Sequence, residues 1–229
     1  LKLPNVEVYL NSKISAEDIL LTEADHIVIA TGAKWRADGF GRSNSLGVTN
    51  LNTLNNIYTP DDIMRGHLPT GEVVVFDDDY YYMGPVIAEM LQKAGCKVTF
   101  VTTSNMVCSF GNYTSEQSSA QKALINSGVK LIFSQNIDSY DGNNIILSCM
   151  YTDLKSKFKT DSIVMITARL PIDTLYYQLQ NLKKEGKIDS IKSICRIGDA
   201  EAPAIIASAV YAGRKYALEI DDRVDIDYS

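Results

Sequence analysis

Gly71 to Thr103, GEVVVFDDDYYYMGPVIAEMLQKAGCKVTFVTT, is the stretch on which the fold reading turns. Val73-Val74-Val75-Phe76 is a continuous run of apolar β-formers, suited to a strand buried on both faces. Val86, Ile87, Met90 and Leu91 follow at the spacing of one helix face, over Pro85 to Lys93. Gly95 is the stop signal of that helix, and Lys97 to Thr103 is a second β-branched run. Strand, crossover helix and second strand make a βαβ unit with parallel strands.

A βαβ unit that binds a dinucleotide carries glycines in its first turn, for the tight bend, for approach to the pyrophosphate and for helix packing. Here the three G-x-G-x-x-G positions fall on Asp77, Asp79 and Tyr82. Two carboxylates facing a pyrophosphate repel it. The acidic residue that would hold a ribose hydroxyl about 20 residues on is also missing, since that region reads Thr99 to Ser104. The scaffold is that of a dinucleotide domain, but NAD(P)H binding is not expected of it. Tyr80, Tyr81 and Tyr82 are expected to fill the space that the glycines leave, and adjacent carboxylates in a turn to be solvated, with no metal site.

Outward from this unit, Val6 to Leu10 alternates like a half-buried strand, and Ile19 to Leu21 reads as another short one after a loop bearing Glu17 and Asp18. Asp25 to Ala33 is a buried strand ending in a small-residue turn, and residues 34–60 an extended surface loop. Asp61, Asp62 and Met64 open a short helix after Pro60. Beyond the unit come a helix over Ser115 to Ser127, a strand at Val129 to Phe133 and a hairpin turn at Tyr140 to Asn143. Strands at Ser162 to Thr167 and Ile194 to Ile197 and helices over Thr174 to Leu182 and Ala204 to Ile220 complete the reading.

The 229 residues are 45% hydrophobic and 22% charged with net charge -6, an acidic globular composition that argues against nucleic acid or an anionic membrane surface as partner. No apolar run reaches the roughly 18 residues of a membrane span, and no signal peptide opens the chain. Cys96, Cys108, Cys149 and Cys195 lack CxxC or metal-type spacing, so reduced thiols and a cytoplasmic setting are expected. His26 and His67 are read as surface or packing residues. The first residue is Leu1 rather than methionine, and the chain is read as a piece of a longer one.

Two strand ends carry the chemistry: IVIATGAKW (Ile27 to Trp35) and RIGDAEAP (Arg196 to Pro203). In the second, a short strand delivers Gly198 and Asp199 to a helix N-terminus, where backbone N–H groups hold phosphate and a carboxylate accepts from a sugar or ribityl hydroxyl. The plainer role for Asp199 is a helix cap, worth about 1 kcal/mol.

The pair ATGAKW and IGDAEAP, flanking an inserted βαβ unit, resembles the C-terminal region of the trimethylamine, dimethylamine and histamine dehydrogenases. These are barrel flavoproteins related to Old Yellow Enzyme, with an appended module built like glutathione reductase. The resemblance implies an α/β chain of two interleaved Rossmann-like lobes of the FAD/NAD(P)-binding three-layer type. Residues 1–67 and 162–229 would form a flavin/ADP-binding-like lobe, incomplete because its first βαβ unit lies upstream, and residues 68–161 an inserted NAD(P)H-binding-like lobe. Thr31, Gly32, Gly198 and Asp199 match positions that line an ADP or FAD site in such proteins. FMN, an iron–sulfur cluster and amine oxidation are implied only for the N-terminal barrel of the parent chain. That barrel, a homodimer and an electron-transferring flavoprotein are the implied partners. Ala168 in ITARLP stands where relatives commonly carry glycine, which implies a disturbed second turn. The rival reading is a structural or dimerisation module that binds no nucleotide, and this region alone is expected to catalyse nothing.

Overall fold

The computed structural model describes residues 3–49, 51–152, 154–188 and 190–220. In chain order its first elements are α1 (Ala16–Leu20), β1 (His26–Ile29), β2 (Ala33–Trp35), β3 (Ile57–Tyr58), α2 (Pro60–Met64), β4 (Glu72–Asp77), α3 (Met83–Lys93), β5 (Lys97–Thr102) and α4 (Gln117–Asn126). There follow β6 (Lys130–Ile132), β7 (Gln135–Tyr140), β8 (Asn144–Cys149), β9 (Lys155–Lys159), β10 (Ser162–Ile166), β11 (Arg169–Pro171), α5 (Thr174–Lys184), β12 (Ser193–Arg196) and α6 (Ile206–Glu219). The chain divides into an outer unit from both its ends, residues 1–33 and 171–229, and an inserted unit of residues 34–170. Both are α/β. The short strands β2 and β11, which pair, carry the two crossings.

In the inserted unit, β4 and β5 are parallel neighbours, Val73 opposite Val98 and Asp77 opposite Thr102, as the βαβ reading requires. They lie in a five-stranded sheet of order β3-β10-β4-β5-β6, parallel at every pairing. The continuous apolar run of β4 follows from burial on both faces. Val73 and Val75 pack with Ile63, Ile87, Leu91 and Leu124 on the helical side. Val74 and Phe76 pack with Ile137, Ile145 and Leu147 of the antiparallel sheet β7-β8-β9 on the other. These four β4 side chains are at most 1% exposed, worth about 1.5–3 kcal/mol of hydrophobic stabilisation each. Helices, parallel sheet and antiparallel sheet thus form three layers.

Several expectations change. The inserted unit is larger than 68–161, because β10 lies between β3 and β4 and so draws residues 57–58 and 162–166 into the same sheet. Residues 34–60 are not a free surface loop, since Val48 and Leu51 are buried in the core and the segment holds β2 and β3. Val6 to Leu10 forms no strand: Val8, Tyr9 and Leu10 are largely exposed, and among the described residues no strand pairs with them. Ile19 belongs to helix α1, which Ser15 opens through a capping box with Asp18. Ala168 keeps a φ outside the left-handed region, donates its N–H to the Phe40 carbonyl and accepts from Arg36 N–H, so its turn needs no glycine.

The outer unit has a smaller frame. Its sheet is the parallel pair β1–β12, His26 opposite Ser193 and Ile29 opposite Arg196. Ile27, Ile29 and Ile194 pack with Ala16 and Ile19 of α1 and Leu179 of α5. Ile206, Val210 and Tyr211 of α6 stand largely exposed.

Candidate functional site

The register of β1 against β12 sets the two strand ends side by side. Ile197 N–H, just past β12, donates to the Ile29 carbonyl at 3.0 Å. Thr31 and Gly32 follow β1, while Gly198 and Asp199 enter the single 3₁₀ turn Gly198–Ala200 after β12. The four residues singled out from sequence thus follow the carboxyl ends of two adjacent parallel strands, the end of the sheet at which open sheets of this class hold ligands. Gly32 has φ +79° and Gly198 φ +59°, values that glycine adopts without strain. A Cβ on Gly32 would meet nothing within 4 Å, so the turn is open on that side. Asp199 Oδ1 accepts from the Ala204 N–H at 3.0 Å, which folds residues 200–205 back before α6 begins at Ile206, two residues later than expected. Backbone N–H groups at the start of α6, two strand-end glycines and a half-buried carboxylate are a donor and acceptor set suited to a phosphate and a sugar hydroxyl.

Sequence reasoning missed a second group here. Arg196, the last residue of β12, donates from Nη1 to Asp173 Oδ2 at 2.6 Å, and its guanidinium lies 4.6 Å and 5.3 Å from the ring centres of Tyr176 and Tyr177. Arg196 was visible only as a charge at the end of a strand, and its partner lies 23 residues earlier.

The turn after β4 in the inserted unit departs from expectation. Asp77 and Asp78 are fully buried rather than solvated. Asp77 Oδ1 accepts from the N–H groups of Asp79 and Tyr80, both at 3.2 Å, while Oδ2 has no partner. Burial, with Asp79 adding repulsion, pushes the Asp77 carboxyl up to about 8. Asp78 accepts from Ser43 N–H and Oγ–H at 2.8 and 2.7 Å and from Thr103 Oγ1 at 2.9 Å. Tyr80, at φ +67°, turns inward, its hydroxyl 2.6 Å from Thr103 Oγ1, whereas Tyr82 is 40% exposed. Of the three tyrosines, Tyr80 fills space as expected and Tyr82 does not. Asp79 is desolvated too, and its carboxyl is raised despite Arg169 and Arg42 nearby.

His26 Nδ1 lies 2.7 Å from Ser193 Oγ, but Ser193 is 2% exposed and the pair sits at the amino ends of β1 and β12, away from the crevice. It joins two strands and offers no accessible nucleophile. Among the described residues no helix is long and apolar enough to cross a membrane.

Residues 58–164 match the family model of the OYE-like second alpha/beta domain. Dimethylamine dehydrogenase of Hyphomicrobium sp. (strain x) is 30% identical, the match covering 96% of this chain and 33% of that protein. The structure of histamine dehydrogenase from Rhizobium sp. 4-9 superposes with a TM-score of 0.89 at 37% identity, over 98% of this chain and 33% of that one. The 6-hydroxypseudooxynicotine amine oxidase of Pseudomonas geniculata N1 gives 0.88 at 37% identity, over 93% and 31%. The chain spans about a third of the length of these relatives. Along nearly its whole length it is homologous to the corresponding third of dimethylamine and histamine dehydrogenases.

Proposed function

We propose that this chain is the nucleotide-binding region of an amine-dehydrogenase-like flavin oxidoreductase, and that ADP or the ADP part of FAD lies across Thr31–Gly32 and Gly198–Asp199. The observation that supports this reading is the parallel register of β1 and β12, which sets the two strand ends side by side. The homology to dimethylamine and histamine dehydrogenases supports the parent activity. In this reading the nucleotide anchors and assembles the region. FMN, an iron–sulfur cluster and the oxidation itself belong to the barrel of the longer parent, with an electron-transferring flavoprotein as acceptor, in a cytoplasmic enzyme that pairs as a homodimer. The two-stranded sheet and the exposed Ile206, Val210 and Tyr211 fit a lobe completed by a preceding βαβ unit of the parent.

One observation favours the rival reading, a structural module without nucleotide: Asp199 is already engaged by Ala204 N–H, within the turn that precedes the α6 N-cap Ile205. The experiment is an ADP titration of the full-length parent enzyme and of its Asp199→Ala variant. We expect at least tenfold weaker binding in the variant, about 1.4 kcal/mol. Unchanged affinity, or a crystal with nucleotide seated at Asp77 to Tyr82, overturns the placement, and no binding by the wild type favours the structural module.

A further inference from the structure

A circuit of hydrogen bonds, closed by the backbone between them, links the strand ends of the outer unit. It runs from the end of β1 to the end of β12 through the Ile197 N–H to Ile29 carbonyl bond. From β12 it passes through Arg196 to Asp173, at 2.6 Å. It returns to β1 through Ile172, whose N–H donates to the Gly32 carbonyl at 2.9 Å and whose carbonyl accepts from the Thr31 hydroxyl. Three chain segments are tied together by these contacts: residues 29–32, 172–173 and 196–197.

The Thr31–Gly32 turn depends on this circuit more than on packing. Thr31 is exposed, Gly32 has no side chain, and the space beside Gly32 is open to beyond 4 Å. Ile172 holds the turn, and Arg196 holds the side chain of the neighbouring Asp173, whose carbonyl accepts from the Tyr177 N–H at 3.2 Å. The Arg196 and Asp173 side chains are 22% and 26% exposed, so solvent screens their attraction less than at an open surface. The planar guanidinium is fixed further by the faces of Tyr176 and Tyr177, which themselves meet edge to face at 5.3 Å. Asp173 neutralises Arg196, which makes it a poor phosphate ligand and a good clamp.

We infer that Arg196 is a positioning residue for the nucleotide crevice: by holding Asp173 it fixes the 172–173 segment and, through it, the Thr31–Gly32 turn opposite Gly198–Asp199. This inference rests on the nucleotide reading above and adds to it the residue that sets the crevice geometry.

The test is calorimetric ADP titration of the full-length parent and its variants, with thermal unfolding of each. Arg196→Met keeps the stem and removes the charge, Asp173→Asn removes the partner, and Arg196→Lys keeps the ion pair while losing the planar stack. We expect about tenfold weaker ADP binding for Arg196→Met and for Asp173→Asn, no further loss in the double variant, and partial recovery in Arg196→Lys. A direct phosphate contact by Arg196 predicts the opposite for Asp173→Asn, because releasing the guanidinium would tighten binding, and that result overturns the inference. Affinity within twofold of wild type in both Arg196→Met and Arg196→Lys also overturns it, and the Lys variant decides if the Met variant does not fold. A wild-type enzyme that binds no ADP overturns both this inference and the reading beneath it.

Discussion

Gly84, in the first turn of α3, lies against the carboxyl group of Asp77 at the end of β4, so close that a Cβ on Gly84 would stand 2.7 Å from Asp77 Cγ. Both residues are buried, and Asp77 is held by two backbone N–H groups, so neither side can yield cheaply. Gly84→Ala is expected to destabilise the inserted unit by about 1–3 kcal/mol, the usual cost of overpacking. Gly213, inside α6, is the control: an added Cβ there meets nothing within 4 Å, and alanine favours the helix by about 0.5–1 kcal/mol. Urea unfolding of the two variants should move in opposite directions, and a neutral Gly84→Ala would refute the close contact.

Asp77 also makes stability depend on pH. Its carboxyl sits at about 8 in the fold against 3.8 ordinarily, because burial and then Asp79 disfavour its charge. Below about pH 4 both folded and unfolded chains hold the proton, and the contribution is fully present. As pH rises toward 8 the unfolded chain releases the proton and the folded chain keeps it, so stability is lost across that window. Asp77→Asn, which cannot ionise, is expected to flatten this decline and to exceed wild type at pH 8 by on the order of a few kcal/mol. Carboxyls lowered in the fold, such as Asp38 beside Arg36, act with the opposite sign but equally in both proteins. Denaturant unfolding from about pH 4.5 to 8 measures the difference in slope, and parallel slopes would count against a buried neutral Asp77.

The elements that were legible in sequence are those whose pattern is local. The β4 run, the Gly95 stop at φ +95°, the hairpin at Asp141–Gly142 and the Gly198–Asp199 strand end each follow from neighbours in the chain. Helix α1 was legible too, since Ser15 and Asp18 spell a capping box, but the apolar Ile19–Leu20–Leu21 drew the reading toward a strand. Burial of Asp78 could not be read, because its partners Ser43 and Thr103 lie 35 and 25 residues away. The same holds for Arg196 and Asp173. Alternation at Val6 to Leu10 misled because period two reports a strand only where another strand pairs with it.

The four cysteines should differ in reactivity. Cys96 and Cys108 are buried and their thiols are pushed up by desolvation. Cys149, at the end of β8 and partly exposed, is lowered by the Thr152 hydroxyl and then by the Tyr151 N–H, both of which favour the thiolate. Cys149 is therefore expected to react with an aromatic disulfide reagent before Cys96 and Cys108. Cys149→Ser should remove one equivalent from the early phase of the time course, and an unchanged early phase would show that another thiol reacts first.

The inserted unit should bind neither NADH nor NADPH. In a glycine-rich turn the first backbone N–H groups after the strand are open to a pyrophosphate. Here the N–H groups of Asp79 and Tyr80 already donate to Asp77 Oδ1, so the protein's own carboxyl occupies the donors that a phosphate would use. The Ser43 N–H and hydroxyl, on the segment packed beside this turn, are likewise spent on Asp78. A dinucleotide would have to displace both buried carboxyls and lie beside Asp79, and Coulomb repulsion adds to the lost hydrogen bonds. Removing one carboxyl should not restore binding, because Asp78 and its Ser43 contact remain. Calorimetric titration of the chain and of Asp77→Gly with either nucleotide is expected to give no saturable heat. A dissociation constant below about 10 μM for the wild type, roughly 7 kcal/mol of binding, would show that these donors are not closed off after all.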